Sequence, residues 1–196
     1  MLSKVAESSI ELDEVIKDLV KILDIKYSTQ LMIEPIDLHD RAKKTLTSLE
    51  HVVKKSNTRV TIDFSEVNDI QSVGAYIDSI LYNLISNAIK YRSPDRPCEI
   101  TLTTRLQNNS VTLIVKDNGI GIDLDKYGTQ LFGLYRRFNT HIEGKGIGLY
   151  LVKAQVESLN GSIEVSSVVN EGTTFTVTFP LQGETSNNEN VTSLSS

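Results

Sequence analysis

The segment from Ile77 to Tyr91 reads as an amphipathic helix, and its two unlike edges constrain the fold more than any other stretch. At about 100° per residue, Ile77, Ile80, Leu81, Leu84, Ile85 and Ala88 form one apolar stripe. Asn83, Asn87, Lys90 and Tyr91 fall in a neighbouring arc along its edge. Two amides four residues apart, with an amine one turn on, can hold a hydrated metal ion and a phosphate together. Mg²⁺ suits such a set because it keeps waters and substrate phosphates among its oxygen ligands. The same residues also suit an ordinary solvated face. The rest of the chain decides between the two.

Composition narrows the class. Of 196 residues, 39% are hydrophobic and 23% charged, as in soluble globular proteins. A net charge of −5 leaves no basic footprint, so nucleic acid is not an expected partner. Cys98 has no second cysteine to pair with, which fits a reducing compartment. No apolar run reaches bilayer length and no secretory signal opens the sequence. A cytoplasmic location is expected, and a longer parent with a membrane anchor is compatible with it.

Three regions are expected: a stem helix and connector over 1–30, an α/β domain over 31–182, and a tail over 183–196. Leu2, Val5, Ser9, Leu12, Ile16, Leu19 and Leu23 step by three and four, like coiled-coil seam positions within a Met1–Lys26 helix. One helix cannot cover that seam, so pairing between chains is expected, with packing on its own domain as the alternative. Tyr27 to Ile36 reads as a connector interrupted by Pro35. Asp37 caps a second helix predicted to run to about Lys55. Val60, Ile62 and Phe64 alternate with Thr61 and Asp63 as a strand. The opening helix is expected over Gln71 to Arg92 and ends at the Ser93-Pro94 turn. Strands follow near Cys98–Leu106 and Val111–Lys116, joined in a hairpin by Gln107-Asn108-Asn109-Ser110. A glycine-rich and polar stretch runs from Asp117 to Gly144, then a helix from Ile147 to Leu159 closed by Asn160-Gly161. Strands at Ser162–Val168 and Thr173–Pro180 flank an Asn170-Glu171-Gly172 turn. The Ser/Asn/Glu/Thr-rich tail has a disordered composition.

Four further motifs carry chemistry. In Asp117-Asn118-Gly119-Ile120-Gly121 a carboxylate at a strand end can accept from an amino group such as that of adenine. The glycines after it let a ring approach the backbone, although the triplet Asp-Asn-Gly is also plain turn chemistry. Gly144-Lys145-Gly146-Ile147-Gly148-Leu149 precedes a helix, where free N–H groups and the helix dipole suit phosphate. Its spacing fits neither the dinucleotide fingerprint nor the Walker loop, and a flexible hinge is the alternative. Gly172-Thr173-Thr174-Phe175 offers a hydroxyl to a base, or simply β-branched strand formers. Phe132 to Phe138, with Arg136 and Arg137, suits the hydrophobic anchor of a lid or a packed short helix.

In this order, these elements resemble the ATP-binding catalytic domain of sensor histidine kinases, in the GHKL ATPase superfamily. The stretch Asn83 to Tyr91 is similar to the N box, Asp117 to Gly121 to the G1 box and Phe132 to Phe138 to the F box. Gly144 to Leu149 is similar to the G2 box and Gly172 to Phe175 to the last Gly-Thr element. The resemblance spans roughly Ile36 to Pro180.

It implies a Bergerat α/β sandwich: a mixed, mostly antiparallel sheet of about five strands with three helices on one side. It implies ATP and Mg²⁺ as ligands. Asn87 would ligate Mg²⁺, Asn83 would support the phosphate shell, Lys90 would contact phosphate and Tyr91 would lie by adenine or ribose. Asp117 would take the adenine amino group, with Gly119, Gly121 and Ile122 shaping the pocket and Thr173 in its water network. Gly144, Lys145, Gly146, Gly148 and Leu149 would carry the phosphates. Arg137, or its neighbour Arg136, would stand near the γ-phosphate in a lid spanning Ile122 to Glu143.

The implied reaction is γ-phosphoryl transfer to a histidine. Only His39, His51 and His141 occur, and His39-Asp40 lacks the proline of an H box. The acceptor is therefore expected outside this chain, and Met1–Lys26 resembles the second helix of the dimerisation hairpin. Expected partners are that hairpin, a response-regulator receiver domain and a second copy through Met1–Lys26. The alternatives are another GHKL ATPase, an anti-sigma-type serine kinase, and a nucleotide-binding dimerisation module without kinase activity.

Overall fold

Alternation along the central strands makes a sheet with one apolar and one threonine-rich face. The computed structural model describes residues 16, 20, 22, 23, 25, 31–136 and 145–181. In chain order the elements are β1 (Glu34–Asp37), α1 (Leu38–Ser48), α2 (Glu50–Lys55), β2 (Arg59–Asp63), β3 (Asp69–Ser72) and α3 (Gly74–Lys90). There follow β4 (Glu99–Gln107), β5 (Ser110–Asp117), α4 (Leu124–Tyr127), α5 (Gly148–Ser158), β6 (Ser162–Val168) and β7 (Gly172–Pro180). Five strands pair in the order β2-β4-β5-β7-β6. Only β2 and β4 run parallel, and the other pairs are antiparallel.

Ile100 and Leu102 of β4, Val111, Leu113 and Val115 of β5, and Phe175 and Val177 of β7 are buried on one face. Against them pack Ile77, Ile80, Leu81, Leu84 and Ile85 of α3, with Val152 and Val156 of α5 and Leu38 and Ala42 of α1. The other face carries Thr101, Thr103, Thr112, Thr174, Thr176 and Thr178, all half-buried. This is the expected α/β sandwich. Asn108 and Asn109 both take positive φ, 50° and 59°, which the tight β4–β5 turn needs and Asn tolerates.

Three expectations are corrected. Residues 34–37 are a strand rather than connector: β1 pairs antiparallel with β3, with Pro35 exposed in this two-stranded ribbon. The opening helix starts at Gly74, because Gln71 and Ser72 belong to β3. The Asp37 helix breaks at Leu49 into α1 and α2. Asp37 caps it as expected, accepting the Asp40 N–H at 2.8 Å. At its far end the hydroxyls of Thr45, Thr47 and Ser48 turn back onto main-chain carbonyls at 3.0, 3.0 and 2.7 Å and compete with the helical ladder. Of the predicted stem, Ile16, Val20, Ile22, Leu23 and Ile25 are described and helical. The remaining stem residues and the tail lie outside the described residues.

Candidate functional site

Burial of the apolar stripe of α3 fixes the rotation of that helix and turns its polar edge into a cleft. Asn83, Asn87, Lys90 and Tyr91 border a cavity of about 810 Å³. Asp117, Gly121, Ile122, Lys145, Gly146, Gly148, Leu149 and Thr173 border the same cavity. Gly119 lies just behind it, buried, where a Cβ would fall 2.4 Å from the Tyr91 carbonyl oxygen. Arg137 and Gly144 lie outside the described residues, whereas Arg136 borders the cavity.

The two amides of α3 are held differently. Asn83 Nδ2 donates to the Ser79 carbonyl at 2.8 Å, so its orientation is fixed from one turn back. Among the described residues the Asn87 side chain makes no hydrogen bond, which leaves its oxygen available to a ligand in the cavity. Lys90 Nζ stands 5.1 Å from the centre of the Tyr91 ring. Sequence reasoning named these four and missed Ser86, Tyr82 and Tyr127, which also border the cavity.

At the β5 end Asp117 is held by the backbone. Its Oδ1 accepts N–H groups from Gly119 at 2.8 Å and Thr173 at 3.2 Å. Burial nevertheless pushes its pKa above the ordinary 3.8, outweighing the two donors. Gly121 takes φ +69°, and a Cβ there would meet the Val168 carbonyl at 2.1 Å. Arg96 braces the loop from outside the cavity. Its Nε donates to the Asn118 carbonyl at 2.7 Å, and Nη2 donates to the carbonyls of Gly119, at 2.8 Å, and Asn170. Ser167 forms a second node: its Oγ accepts the Ile122 N–H at 2.8 Å and lies 3.0 Å from Thr173 Oγ1. No local pattern marks Arg96 or Ser167, because their partners are distant in sequence.

The opposite end is built for negative charge. Helix α5 starts at Gly148, and its N-cap Ile147 makes no side-chain cap hydrogen bond. The N–H groups of the first turn are left for an anion. A Cβ on Gly148 would fall 2.6 Å from Asn83 Oδ1, so a larger residue there would push the Asn83 amide from its present position. Lys145 and Arg136 add positive charge to that end.

The cavity thus joins a half-buried carboxylate to an uncapped helix start, with a free amide between them. Residues 73–183 match the family model described as histidine kinase-, DNA gyrase B- and HSP90-like ATPase. The chain belongs to this ATPase family. Within the family it is similar to an uncharacterized sensor-like histidine kinase of Rhizobium meliloti, 32% identical over 83% of this chain and 31% of that protein. The Acinetobacter baumannii histidine kinase AdeS shares the fold, with a TM-score of 0.74, 20% identity, and 93% of this chain and 84% of that one covered. Full-length ShkA, solved in complex with AMPPNP, has a TM-score of 0.77 at 19% identity, covering 91% of this chain and 38% of that one. The chain spans between 25% and 38% of the length of the first curated relatives it matches.

The cavity has room for a nucleotide. Its volume lies in the usual range for small-molecule sites, about 300–1,000 Å³. Its acceptors and donors are segregated to the two ends that a base and a triphosphate require. Among the described residues no group of three or more His, Cys, Asp or Glu could hold a metal alone. One neutral amide oxygen, Asn87 Oδ1, matches the way Mg²⁺ is held when phosphates and water supply its other ligands.

Proposed function

We propose that this chain is the ATP–Mg²⁺-binding catalytic part of a two-component sensor histidine kinase, acting on a histidine outside the chain. The observation that carries the reading is one cavity holding Asp117, the free Asn87 amide and the uncapped start of α5 together. The names of the similar proteins favour kinase over the other members of the family, and AMPPNP in ShkA supports a triphosphate ligand.

In this reading the Asp117 carboxylate accepts from the adenine amino group, and Tyr91, Gly121 and Ile122 enclose the base. Gly119 stands behind the base and Thr173 beside it. The first-turn N–H groups at Gly148 and Leu149, with Lys145 and Gly146, bind the phosphates, and Lys90 neutralises charge beside them. Asn87, oriented next to Asn83, would hold Mg²⁺, which when bound draws charge from the phosphate oxygens. Arg137, or its neighbour Arg136 at the cavity border, stands near the γ-phosphate, and Gly144 keeps its proposed role. An imidazole nitrogen of the acceptor attacks the γ-phosphorus while the bond to the bridging oxygen breaks. ADP leaves, and the other ring nitrogen releases its proton to water. The protein contributes alignment and charge stabilisation rather than a covalent group.

The acceptor hairpin, a receiver domain and a second copy of this chain are the partners proposed. The test is incubation of labelled ATP and Mg²⁺ with this chain and a separately made acceptor hairpin. Base-stable, acid-labile label on the hairpin is expected, and Asn87→Asp should lower it at least tenfold. If wild-type chain fails to bind ATP–Mg²⁺ and Asn87→Asp changes nothing, the catalytic reading is wrong.

A further inference from the structure

Behind the Asp117 end of the cavity a hydroxyl on its wall, that of Thr173, pairs with Ser167, and counting partners decides the proton direction. Ser167 Oγ has one proton and two lone pairs. Its proton goes to the Gly172 carbonyl at 2.8 Å, and one lone pair takes the Ile122 N–H at 2.8 Å. The remaining contact is Thr173 Oγ1 at 3.0 Å. Since Ser167 has no proton left, Thr173 must donate to it. The Thr173 hydroxyl, on the cavity wall, therefore turns only lone pairs toward a ligand.

Asp117 adds to the same polarity. Its Oδ1 is occupied by the N–H groups of Gly119 and Thr173, and its second oxygen has no hydrogen bond among the described residues. Those two N–H groups are consumed in the process and cannot serve a base. The wall that Asp117 and Thr173 share thus accepts hydrogen bonds and donates none.

We propose that Ser167, which does not itself border the cavity, sets the nucleobase preference by fixing the Thr173 proton away from the ligand. The resulting acceptor wall takes a 6-aminopurine and rejects a 6-oxopurine, whose carbonyl oxygen would face oxygen lone pairs. This rests on the nucleotide-binding reading above and names Ser167 as a positioning residue for it. A site that leaves a buried acceptor facing an acceptor discriminates more strongly than one that differs only in shape.

The test compares Mg–ATP with Mg–ITP, which differ only at the purine 6-position and N1, by calorimetry on the full chain. Wild type should favour ATP by about a hundredfold. Ser167→Ala frees the Thr173 proton and should narrow that ratio about tenfold, while Ser167→Thr, which keeps the hydroxyl, should retain it. Thr173→Val removes the acceptor without touching the other two Ser167 bonds and should also narrow the ratio, so it carries the test if Ser167→Ala does not fold. A Ser167→Ala chain that loses both nucleotides equally, or a Ser167→Thr chain whose ratio collapses, overturns the inference, as does a Thr173→Val chain with the wild-type ratio. Equal binding of ATP and ITP by wild type also overturns it while leaving nucleotide binding intact. Binding of neither nucleotide by wild type removes the nucleotide reading itself.

Discussion

Asp117 is costly to the fold and useful to the site. Because burial raises its folded-state pKa above 3.8, the folded chain holds that proton more tightly than the unfolded chain. The stability it contributes is present below 3.8 and lost as pH rises through the raised value. At neutral pH its ionised form is a debit, and in the function proposed above it is the better acceptor for an amino group. Asp117→Asn keeps an Oδ1 for the Gly119 and Thr173 N–H groups and removes the buried charge. Its melting temperature at pH 7 should equal or exceed that of wild type. Adenine nucleotide affinity should fall about 10–100-fold, as for the loss of a charged hydrogen bond of about 1.5–3 kcal/mol. Wild-type affinity should weaken as pH falls through the raised Asp117 pKa, and the Asn variant should lack that dependence. Thermal unfolding and calorimetry over a pH series check both. Asp117 was legible in the sequence because carboxylate and glycines sit together. Arg96 was not, since its side chain braces carbonyls 22 to 74 residues away.

At the scale of elements, long periodic stretches were readable and short paired ones were not. Strand β6 falls on its predicted limits, and the buried stripe of α3 is the one its periodicity gives. Strands β1 and β3 have four residues each, too few for alternation to register, and β1 contains Pro35. Their pairing is a tertiary decision. The glycine-rich approach to α5 was legible as a candidate phosphate loop, and its two described glycines are unlike. Gly146 takes φ +74°, and a Cβ there would meet Arg136 backbone at 2.4 Å. Gly148 is helical, and its Cβ would meet only the end of the Asn83 side chain. Gly146→Ala should therefore lower the melting temperature and displace the segment at Arg136. Gly148→Ala gains helix propensity worth up to about 1 kcal/mol, so its melting temperature should hold or rise. It should still lose triphosphate affinity at least tenfold, because the methyl group takes the space between α5 and Asn83. Paired melting and binding curves distinguish the two; equal destabilisation by both would mean the Asn83 contact is structural only.

For the whole molecule, the helix preceding the domain presents two faces with different fates. Ile22 and Ile25, 7% and 8% exposed, pack on Ile147 and Leu151, with Tyr76, Tyr150 and Ala154 around them. Ile16, Val20 and Leu23, spaced by four and three, remain about half exposed at 51%, 48% and 50%. The sequence offered seam pairing and packing on the domain as alternatives; Ile22 and Ile25 pack on the domain, and the exposed face is left for the proposed pairing. Ile147 sits between Gly146 and Gly148, so the contact that seats the helix also bears on the glycine-rich segment at the cavity. A charge on the packed face should therefore be felt in the cavity, whereas a charge on the exposed face should not. Ile25→Asp is expected to weaken Mg–ATP binding several-fold while far-ultraviolet circular dichroism still shows the intact sheet. Leu23→Asp is expected to leave that affinity unchanged and to abolish any concentration-dependent self-association seen by sedimentation. The reverse pattern, with Leu23→Asp weakening the nucleotide and Ile25→Asp silent, would mean that the opposite face of the helix lies on the domain. Ile16, Val20 and Leu23 form an apolar stripe of the kind that marks an interaction surface, and the second copy proposed above would bring the same stripe to it by symmetry.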